Sequence, residues 1–121
     1  DCENLGTIAA NLNNLIETNN GCSSGATGLV TADPNLAALA DNGGIATGSG
    51  KINQTFALNF NSPAIEAGNN ATCDSTDGRG IARPIDGNSN GVALCDIGAY
   101  EYVDLYIAGH RFARSRRASI R

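Results

Sequence analysis

A chain of 121 residues with 41% hydrophobic content suits a single domain with a modest core. Its 15 glycines and a similar number of asparagines, with no tryptophan and no methionine, disfavour long helices. Residues 1–104 carry twelve acidic groups against three basic ones, a net charge of −9, whereas residues 105–121 carry five arginines and no acid. The acidic body excludes nucleic acid as its partner, because phosphate contacts need a clustered cationic face.

The first predicted element lies within residues 8–17, where short apolar pieces alternate with asparagines. Their spacing permits a helix, but the asparagines weaken it, and short strands fit the same pattern equally well. After a small-residue turn at 21–28, residues 29–31 predict a strand. Both interpretations of residues 8–17 stay open at this point.

The next segment begins with Asp33-Pro34, which predicts a turn or a single helical turn. Leu36 and Leu39 are three residues apart and would share one face of that helical turn. The run Asp41-Asn42-Gly43-Gly44 ends it, because glycine after a short element favours termination.

A clearer strand is predicted at residues 55–58. Phe56, Leu58 and Phe60 alternate with small or polar residues, as a half-buried strand requires. A short element over residues 62–68 follows and ends at its glycine.

Strand candidates of three to five residues, separated by turns rather than helices, restrict the fold to the all-β class. A β-sandwich and a solenoid both satisfy this pattern. The abundance of asparagine favours a right-handed parallel β-helix, in which identical polar side chains stack at the bends of successive coils. The sequence shows no strict internal period, so a loop-rich β-sandwich stays an equal alternative.

Four cysteines fall as two neighbouring couples, Cys2 with Cys22 and Cys73 with Cys95. They allow three connectivities, and pairing neighbours would close two loops of about twenty residues, each worth about 3 kcal/mol. A zinc site lacks its ligand spacing, because there is no Cys-x-x-Cys and the single His110 lies far from every cysteine. We therefore expect disulfides, and with them export.

The two ends of the chain carry further expectations. The chain opens with Asp1 and has no signal peptide, which indicates a mature fragment or the C-terminal piece of a longer protein. No apolar run approaches the length of a membrane span, so no transmembrane segment is predicted. We divide the chain into a body over 1–104 and a basic tail over 105–121, which we expect to be disordered.

Three phrases carry a resemblance to a known family: DPNLAALADNGG at residues 33–44, SPAIEAG at residues 62–68, and DGRGIARP with CDIGAYEY within residues 73–102. In this order and at these distances they resemble the C-terminal portion of bacterial right-handed β-helix surface proteins of the choice-of-anchor Q type. The resemblance covers residues 1–102, since a cysteine couple ahead of the Asp-Pro phrase is also typical. It implies a pectin-lyase-like parallel β-helix, secreted from or held at the surface of a bacterium, usually without demonstrated activity.

The chain departs from the family pattern at several places. Ile45-Ala46 stands where the family has Pro-Thr, and the family's following histidine is absent. Gly78 replaces a glutamine, and Glu66 replaces an aspartate. The apolar run over 105–109 is too short to cross a bilayer, so the expected anchor is missing or replaced.

A half-matched calcium motif lies at residues 86–91, with oxygen-bearing residues at loop positions 1, 3 and 5 and glycine at position 6. Position 12 is Ile97 rather than the bidentate acid that such loops use, and Asp96 precedes it. A metal-free turn of the kind built by Asp-Gly and Asn-Gly is the favoured interpretation, and no cofactor is then needed. If calcium binds, the predicted ligands are Asp86, Asn88 and Asn90, with Asp96 as a fourth.

The segment from Cys73 to Tyr102 also gathers the charged residues of a predicted structural cap, Asp77, Arg79, Arg83 and Asp96. In the favoured interpretation its arginines bind exposed carbonyls or a carboxylate across the last coil, which covers the open end of a solenoid. The alternative is a fragment of a calcium-assisted polysaccharide lyase or hydrolase, in which an arginine removes the α-proton of a uronate. That base would need a strongly perturbing groove.

Together these patterns predict an all-β chain that forms the disulfide-stapled C-terminal coils and cap of a right-handed parallel β-helix over residues 1–104. The expected role is that of a non-catalytic, secreted or bacterial cell-surface module, structural, adhesive or in contact with glycan. Its expected partners are upstream β-helix coils of a longer chain and a cell-surface glycan.

Overall fold

Short strands separated by turns make up the described part of the chain, and none of that part is helical. The computed structural model describes residues 2–6, 11–107 and 110–112, with 105–107 and 110–112 given by their backbone alone. The all-β class predicted from the sequence is confirmed over these residues. The strands are β1 (Cys2–Glu3), β2 (Asn19–Asn20), β3 (Leu36–Ala40), β4 (Thr55–Leu58), β5 (Leu105–Ile107) and β6 (His110–Phe112).

The N-terminal segment runs parallel to the segment that follows it. β1 pairs with β2, and two isolated parallel bridges continue this pairing further along the chain. The helical interpretation is therefore wrong for residues 11–17, where isolated bridges at Leu12 and Leu15 stand in place of a full strand, while residues 7–10 lie outside the described chain. The paired residues are Cys2 with Asn19, Glu3 with Asn20, Leu12 with Thr27, and Leu15 with Val30.

β3 and β4 form an antiparallel pair, and a β-bulge accounts for the leucine spacing in β3. Leu36 lies opposite Leu58 and Leu39 lies opposite Phe56, and the register shifts between the two leucines. A bulge adds one residue to one strand, so a spacing of three on β3 matches a spacing of two on β4. The predicted helical turn at these leucines is therefore wrong, whereas the predicted strand at Thr55–Leu58 is confirmed.

Few apolar side chains are buried in this fold. Leu58 is 6% exposed, but Phe56 and Phe60, which the alternating pattern predicts on the same buried face, are 50% and 49% exposed. Among the described residues eight polar or charged residues are buried, against four apolar ones. Most of the fully buried residues are therefore polar, charged or disulfide-bonded. The buried apolar residues are Cys22, Leu58, Ala64 and Cys95.

Two disulfides join neighbouring cysteines, Cys2 to Cys22 and Cys73 to Cys95, with Cα–Cα distances of 6.0 and 6.6 Å. Of the three connectivities open from the sequence, this is the pairing of neighbours. The second disulfide also fixes the segment over residues 62–68, because the carbonyl of Cys95 accepts the N–H of Gly68 at 2.8 Å. A Cβ at Gly68 would lie 2.6 Å from that carbonyl oxygen, so this close approach requires glycine.

The C-terminal end contains a second antiparallel pair, between the backbones of β5 and β6. The sequence predicts disorder throughout 105–121, and the structure differs at these two strands. Residues 108–109 and 113–121 lie outside the described chain, so the predicted tail stays a prediction there. Within residues 2–6, 11–107 and 110–112, no helix is long and apolar enough to cross a membrane.

Removal of the second disulfide tests how much the fold depends on it. The bond closes a loop with a sequence separation of 22 residues. We expect the double variant Cys73→Ala/Cys95→Ala to lose about 3 kcal/mol of unfolding free energy, since the unfolded chain regains the entropy of the open loop. Urea unfolding followed by circular dichroism measures this loss. An unchanged midpoint would show that the bond contributes no stability.

Candidate functional site

The candidate site is a cluster of charged residues around the turn at residues 77–81. The N–H of Asp77 donates to the carbonyl of Ile81 at 2.8 Å, and the N–H of Gly80 donates to the carbonyl of Asp77 at 2.9 Å. Gly80 has φ of +80°, a conformation that a side chain disfavours. The Asp-Gly-Arg-Gly sequence therefore builds a tight turn that turns Arg79 inward. We call the charged cluster Asp77, Arg79, Arg83, Asp96 and Glu101.

Arg79 lies buried at the centre of this cluster, with its side chain 3% exposed. Its Nε donates to Asp77 Oδ2 at 2.8 Å, and one terminal nitrogen donates to the carbonyl of Glu101 at 2.6 Å. The guanidinium carbon lies 3.6 Å from the centre of the Tyr100 ring, which adds a cation–π contact. The guanidinium is therefore held by Asp77, by the carbonyl of Glu101 and by the face of the Tyr100 ring, all from the chain itself.

Asp77 pairs with Arg79 and also accepts backbone N–H groups. Oδ1 accepts from Arg79 and Ile81 at 2.8 and 3.0 Å, and Oδ2 accepts from Glu101 at 2.9 Å. Burial by itself raises the pKa of Asp77, but these hydrogen bonds and the Arg79 side chain outweigh it and lower the pKa below its ordinary value. Asp77 is thus held as a carboxylate by the turn that it forms.

Glu101 is the acid that sequence analysis missed. Its residue is fully buried, with Oε1 accepting the N–H of Ile85 at 2.8 Å and Oε2 accepting the N–H of Asp96 at 3.2 Å. Arg83 faces it, with Nε 3.1 Å from Oε2, an ion pair without the alignment of a hydrogen bond. In the sequence, the alternation of Glu101 with two tyrosines indicates only strand packing. No short motif marks Glu101, because Ile85 and Arg83, which its side chain contacts, lie well upstream in the chain.

Arg83 completes its contacts through the backbone, since a terminal nitrogen donates to the carbonyl of Gly98 at 2.6 Å. Its side chain is 8% exposed. Beside it lies a polar cleft of about 530 Å³ whose wall includes Asp74, Ser75 and Thr76. Arg83 also lines this cleft, so the cleft offers hydroxyl and carboxylate groups beside a guanidinium that is already bound to Gly98 and Glu101 of its own chain.

Asp96 links the charged cluster to the segment over residues 62–68. Oδ1 accepts the N–H of Glu66 at 2.7 Å, and Oδ2 accepts the N–H of Tyr102 at 2.5 Å. Burial raises the pKa of Asp96 to about 6, and the carboxylate of Glu101 adds to the rise, although the two N–H donors oppose it. All four predicted cap residues, Asp77, Arg79, Arg83 and Asp96, are thus brought into one cluster.

The predicted calcium ligands lie in a separate loop over residues 86–91. Asp86 accepts the N–H of Gly91 at 2.8 Å and that of Asn90 at 3.1 Å. The N–H of Gly91 is the largest contribution to a lowered pKa of Asp86. Asn88 and Asn90 accept backbone N–H groups two residues further on, at 3.0 and 2.7 Å. Asp86, Asn88 and Asn90 therefore share one turn, whereas the two oxygens of Asp96 accept from Glu66 and Tyr102.

Glu66 takes the place beside this loop that the sequence assigned to Asp96. Its Oε2 accepts the amide groups of Asn88 and of Asn90, the latter at 3.1 Å. Burial, followed by the negative charge of Asp86, raises the pKa of Glu66. The sequence registers Glu66 only as a departure from the family phrase, because nothing local predicts a contact across 22 residues.

The arrangement limits what metal could bind. Among the described residues, no group of three or more His, Cys, Asp or Glu side chains is placed to hold an ion. A metal at the loop would need amide and backbone oxygens beside its carboxylates, and such oxygen donors suit calcium rather than zinc.

Comparison with protein-family models, with curated proteins and with solved structures finds no match for this chain. The resemblance to β-helix surface proteins therefore stays a prediction.

The raised pKa of Asp96 predicts a pH-dependent stability. A carboxyl that ionises near pH 6 when folded, and at about 3.9 when unfolded, binds more protons in the folded state. Its stabilising contribution is complete below about pH 4 and is lost as the pH rises to about 6. We expect Asp96→Asn to cost about 2–3 kcal/mol less at about pH 7 than at about pH 4.

Urea unfolding of both proteins across this range, in chelator, measures the difference. Asp77→Asn is the contrasting variant, since the lowered pKa of Asp77 makes its contribution complete above about pH 4 and lost only below it. A cost of Asp96→Asn that grows as the pH rises would contradict the assignment.

Proposed function

We propose that this chain is a non-catalytic, secreted or cell-surface module that forms the C-terminal coils and cap of a right-handed parallel β-helix. Its partners are the upstream coils of a longer chain, whose end it covers. The whole protein serves adhesion or contacts a cell-surface glycan. The module acts mechanically, by holding the last coils closed.

The observation that carries this proposal is that groups of the chain itself engage both arginines of the charged cluster. Arg79 and Arg83 are 3% and 8% exposed and bind carbonyls and carboxylates of their own chain. A lyase would need such a group directed at substrate and free to take a proton. Arginines that donate to backbone carbonyls satisfy acceptors that no neighbouring coil would satisfy at the end of a solenoid, which suits a cap.

The parallel pairing of the N-terminal segment supports the β-helix. Cys2 pairs with Asn19 and Leu12 pairs with Thr27, so each position lies beside one that follows it after a similar length of chain. This repeated offset corresponds to one coil stacked on the next. Asparagine bonds to the turn between them, where Asn19 accepts the N–H of Cys22 at 2.8 Å. The outer edge of β1 has no strand partner among the described residues, so it offers a place for a further coil.

The sparse apolar core also supports the proposal that upstream coils pack against this chain. Large apolar side chains lie at the surface, with Leu5 96%, Leu12 55% and Leu36 41% exposed. A stack of coils buries such side chains between neighbours, and a terminal pair of coils alone does not. The two disulfides are typical of exported proteins, which supports a secreted or bacterial cell-surface location.

The polar cleft beside Arg83 is the surface that we assign to glycan. Its hydroxyl and carboxylate groups, from Asp74, Ser75 and Thr76, match the hydrogen-bonding groups of sugars. Glycan contact here needs no catalysis.

Substitution of Arg79 tests the cap. We expect Arg79→Ala to lose about 3–5 kcal/mol of unfolding free energy, because it leaves the buried Asp77 carboxylate without its partner. Arg79→Lys keeps the charge but cannot make both hydrogen bonds of the guanidinium, and it should lose about 1–3 kcal/mol of unfolding free energy. Lys51→Ala, which removes an exposed positive charge, is the matched control and should change stability by less than about 0.5 kcal/mol.

The same proteins decide between cap and enzyme. Incubation with uronate polymers, followed by the ultraviolet absorbance of unsaturated products, should show no turnover by the unsubstituted chain. Glycan binding, measured on an array, should survive in folded Arg79→Lys. Turnover that disappears in Arg79→Lys while the fold is retained would contradict the proposal and favour the lyase.

A further inference from the structure

The carboxylate of Glu66 lies beside the loop over residues 86–91, and neither the loop motif nor the capping role accounts for its position there. Glu66 is 9% exposed, so nine-tenths of it is buried, and its carboxylate lies against the loop. Oε2 accepts the amides of Asn88 and Asn90, while Oε1 is buried and makes no well-aligned hydrogen bond, although the N–H of Gly87 and the carboxyl of Asp86 lie close to this carboxylate. A buried carboxylate oxygen without a donor is costly, and a cation is one group that satisfies it.

We propose that Glu66 and the loop of Asp86, Asn88 and Asn90 form a calcium site, in which Glu66 supplies from another segment the acid that the loop itself lacks. A calcium loop of this kind places oxygen ligands at positions 1, 3 and 5 and closes the shell with a bidentate acid. Glu66 approaches the same three side chains from across the fold. The proposed ligands include neither Arg79 nor Arg83, on which the capping role rests.

The charges around the site favour a divalent cation. The Glu66 and Asp86 carboxylates repel each other, and this repulsion is one cause of the raised pKa of Glu66. A calcium ion between them would replace that repulsion with attraction to both. Calcium accepts an irregular shell of carboxylate, amide, backbone and water oxygens, whereas magnesium demands a near-ideal octahedron. The site should therefore prefer calcium.

Binding exchanges one set of contacts for another. The amide oxygens of Asn88 and Asn90 each accept a backbone N–H and keep a second lone pair. Their –NH2 groups now donate to Glu66. The two side chains must rotate until their oxygens face Glu66 across the ion, and this rotation gives up the backbone N–H groups that those oxygens now accept.

The backbone of Glu66 is already fixed for this task. Its φ of 55° lies in the left-handed region, which non-glycine residues rarely adopt. The hydrogen bond from its N–H to Asp96 Oδ1 holds it there. The charged cluster thus sets the position of the acid, so little chain entropy is lost on binding.

Isothermal titration of the full chain with calcium chloride tests the site directly. We expect one ion per chain with a Kd of about 10⁻⁴–10⁻³ M, the range of extracellular calcium modules. Glu66→Gln should weaken binding at least tenfold. Glu17→Gln makes the same chemical change at a glutamate outside the site and should leave the affinity unchanged. Magnesium should bind at least tenfold more weakly.

A second variant keeps the test decisive if Glu66→Gln does not fold. Asn88 is exposed, and Asn88→Asp adds a charged ligand while it removes a donor to Glu66. It should lower the melting temperature in chelator, tighten calcium binding several-fold, and regain stability when calcium is added.

Three outcomes would overturn the proposal. The first is no binding by the unsubstituted chain up to about 10 mM calcium, tenfold above the weakest extracellular modules. The second is equal weakening by Glu66→Gln and Glu17→Gln, which indicates general attraction to an acidic surface. The third is a lower melting temperature of Asn88→Asp that calcium does not restore, which means that the loop is held by hydrogen bonds alone. None of these outcomes affects the capping role of Arg79.

Discussion

Burial of the Arg79–Asp77 ion pair is the constraint on which the rest of the structure depends. The two side chains are 3% and 0% exposed, so both charges have lost most of their hydration. Such a loss exceeds the attraction of the pair unless further hydrogen bonds satisfy the remaining donors and acceptors. Here the backbone supplies them, through three N–H groups to Asp77 and the carbonyl of Glu101 to Arg79.

These contacts bring distant parts of the chain together. The N–H of Glu101 binds Asp77 and its carbonyl binds Arg79, although both partners are far from it in sequence. Its side chain binds the N–H groups of Ile85 and Asp96 and faces Arg83. In a larger domain an apolar core would fix such segments, but here few apolar side chains are buried. Polar contacts that are fully satisfied therefore specify the geometry of the last segment.

Sequence reasoning succeeded where the signal is local. The strand at Thr55–Leu58 follows from alternation, and the turn at residues 86–91 follows from its Asp-Gly and Asn-Gly chemistry. Sequence reasoning failed at Leu36 and Leu39, because a β-bulge gives these two strand residues a spacing of three, as in a helix. The bulge becomes visible only in the pairing with the partner strand. The roles of Glu66 and Glu101 depend on contacts with distant segments, which no short motif encodes. The same limit applies to the cysteines, whose pairing became known only from the structure.

Glu66 joins the charged cluster to the loop over residues 86–91, and this connection explains its unusual backbone. A left-handed glutamate costs about 1–2 kcal/mol and persists only where its surroundings hold it. Its N–H is fixed by Asp96, and its carboxylate is fixed by the amides of Asn88 and Asn90. A change that loosens Asp96 therefore shifts the carboxylate that faces the loop. The loop also holds itself, through the N–H groups that Asp86, Asn88 and Asn90 accept from its own backbone, so what the cluster supplies to it is the position of one carboxylate.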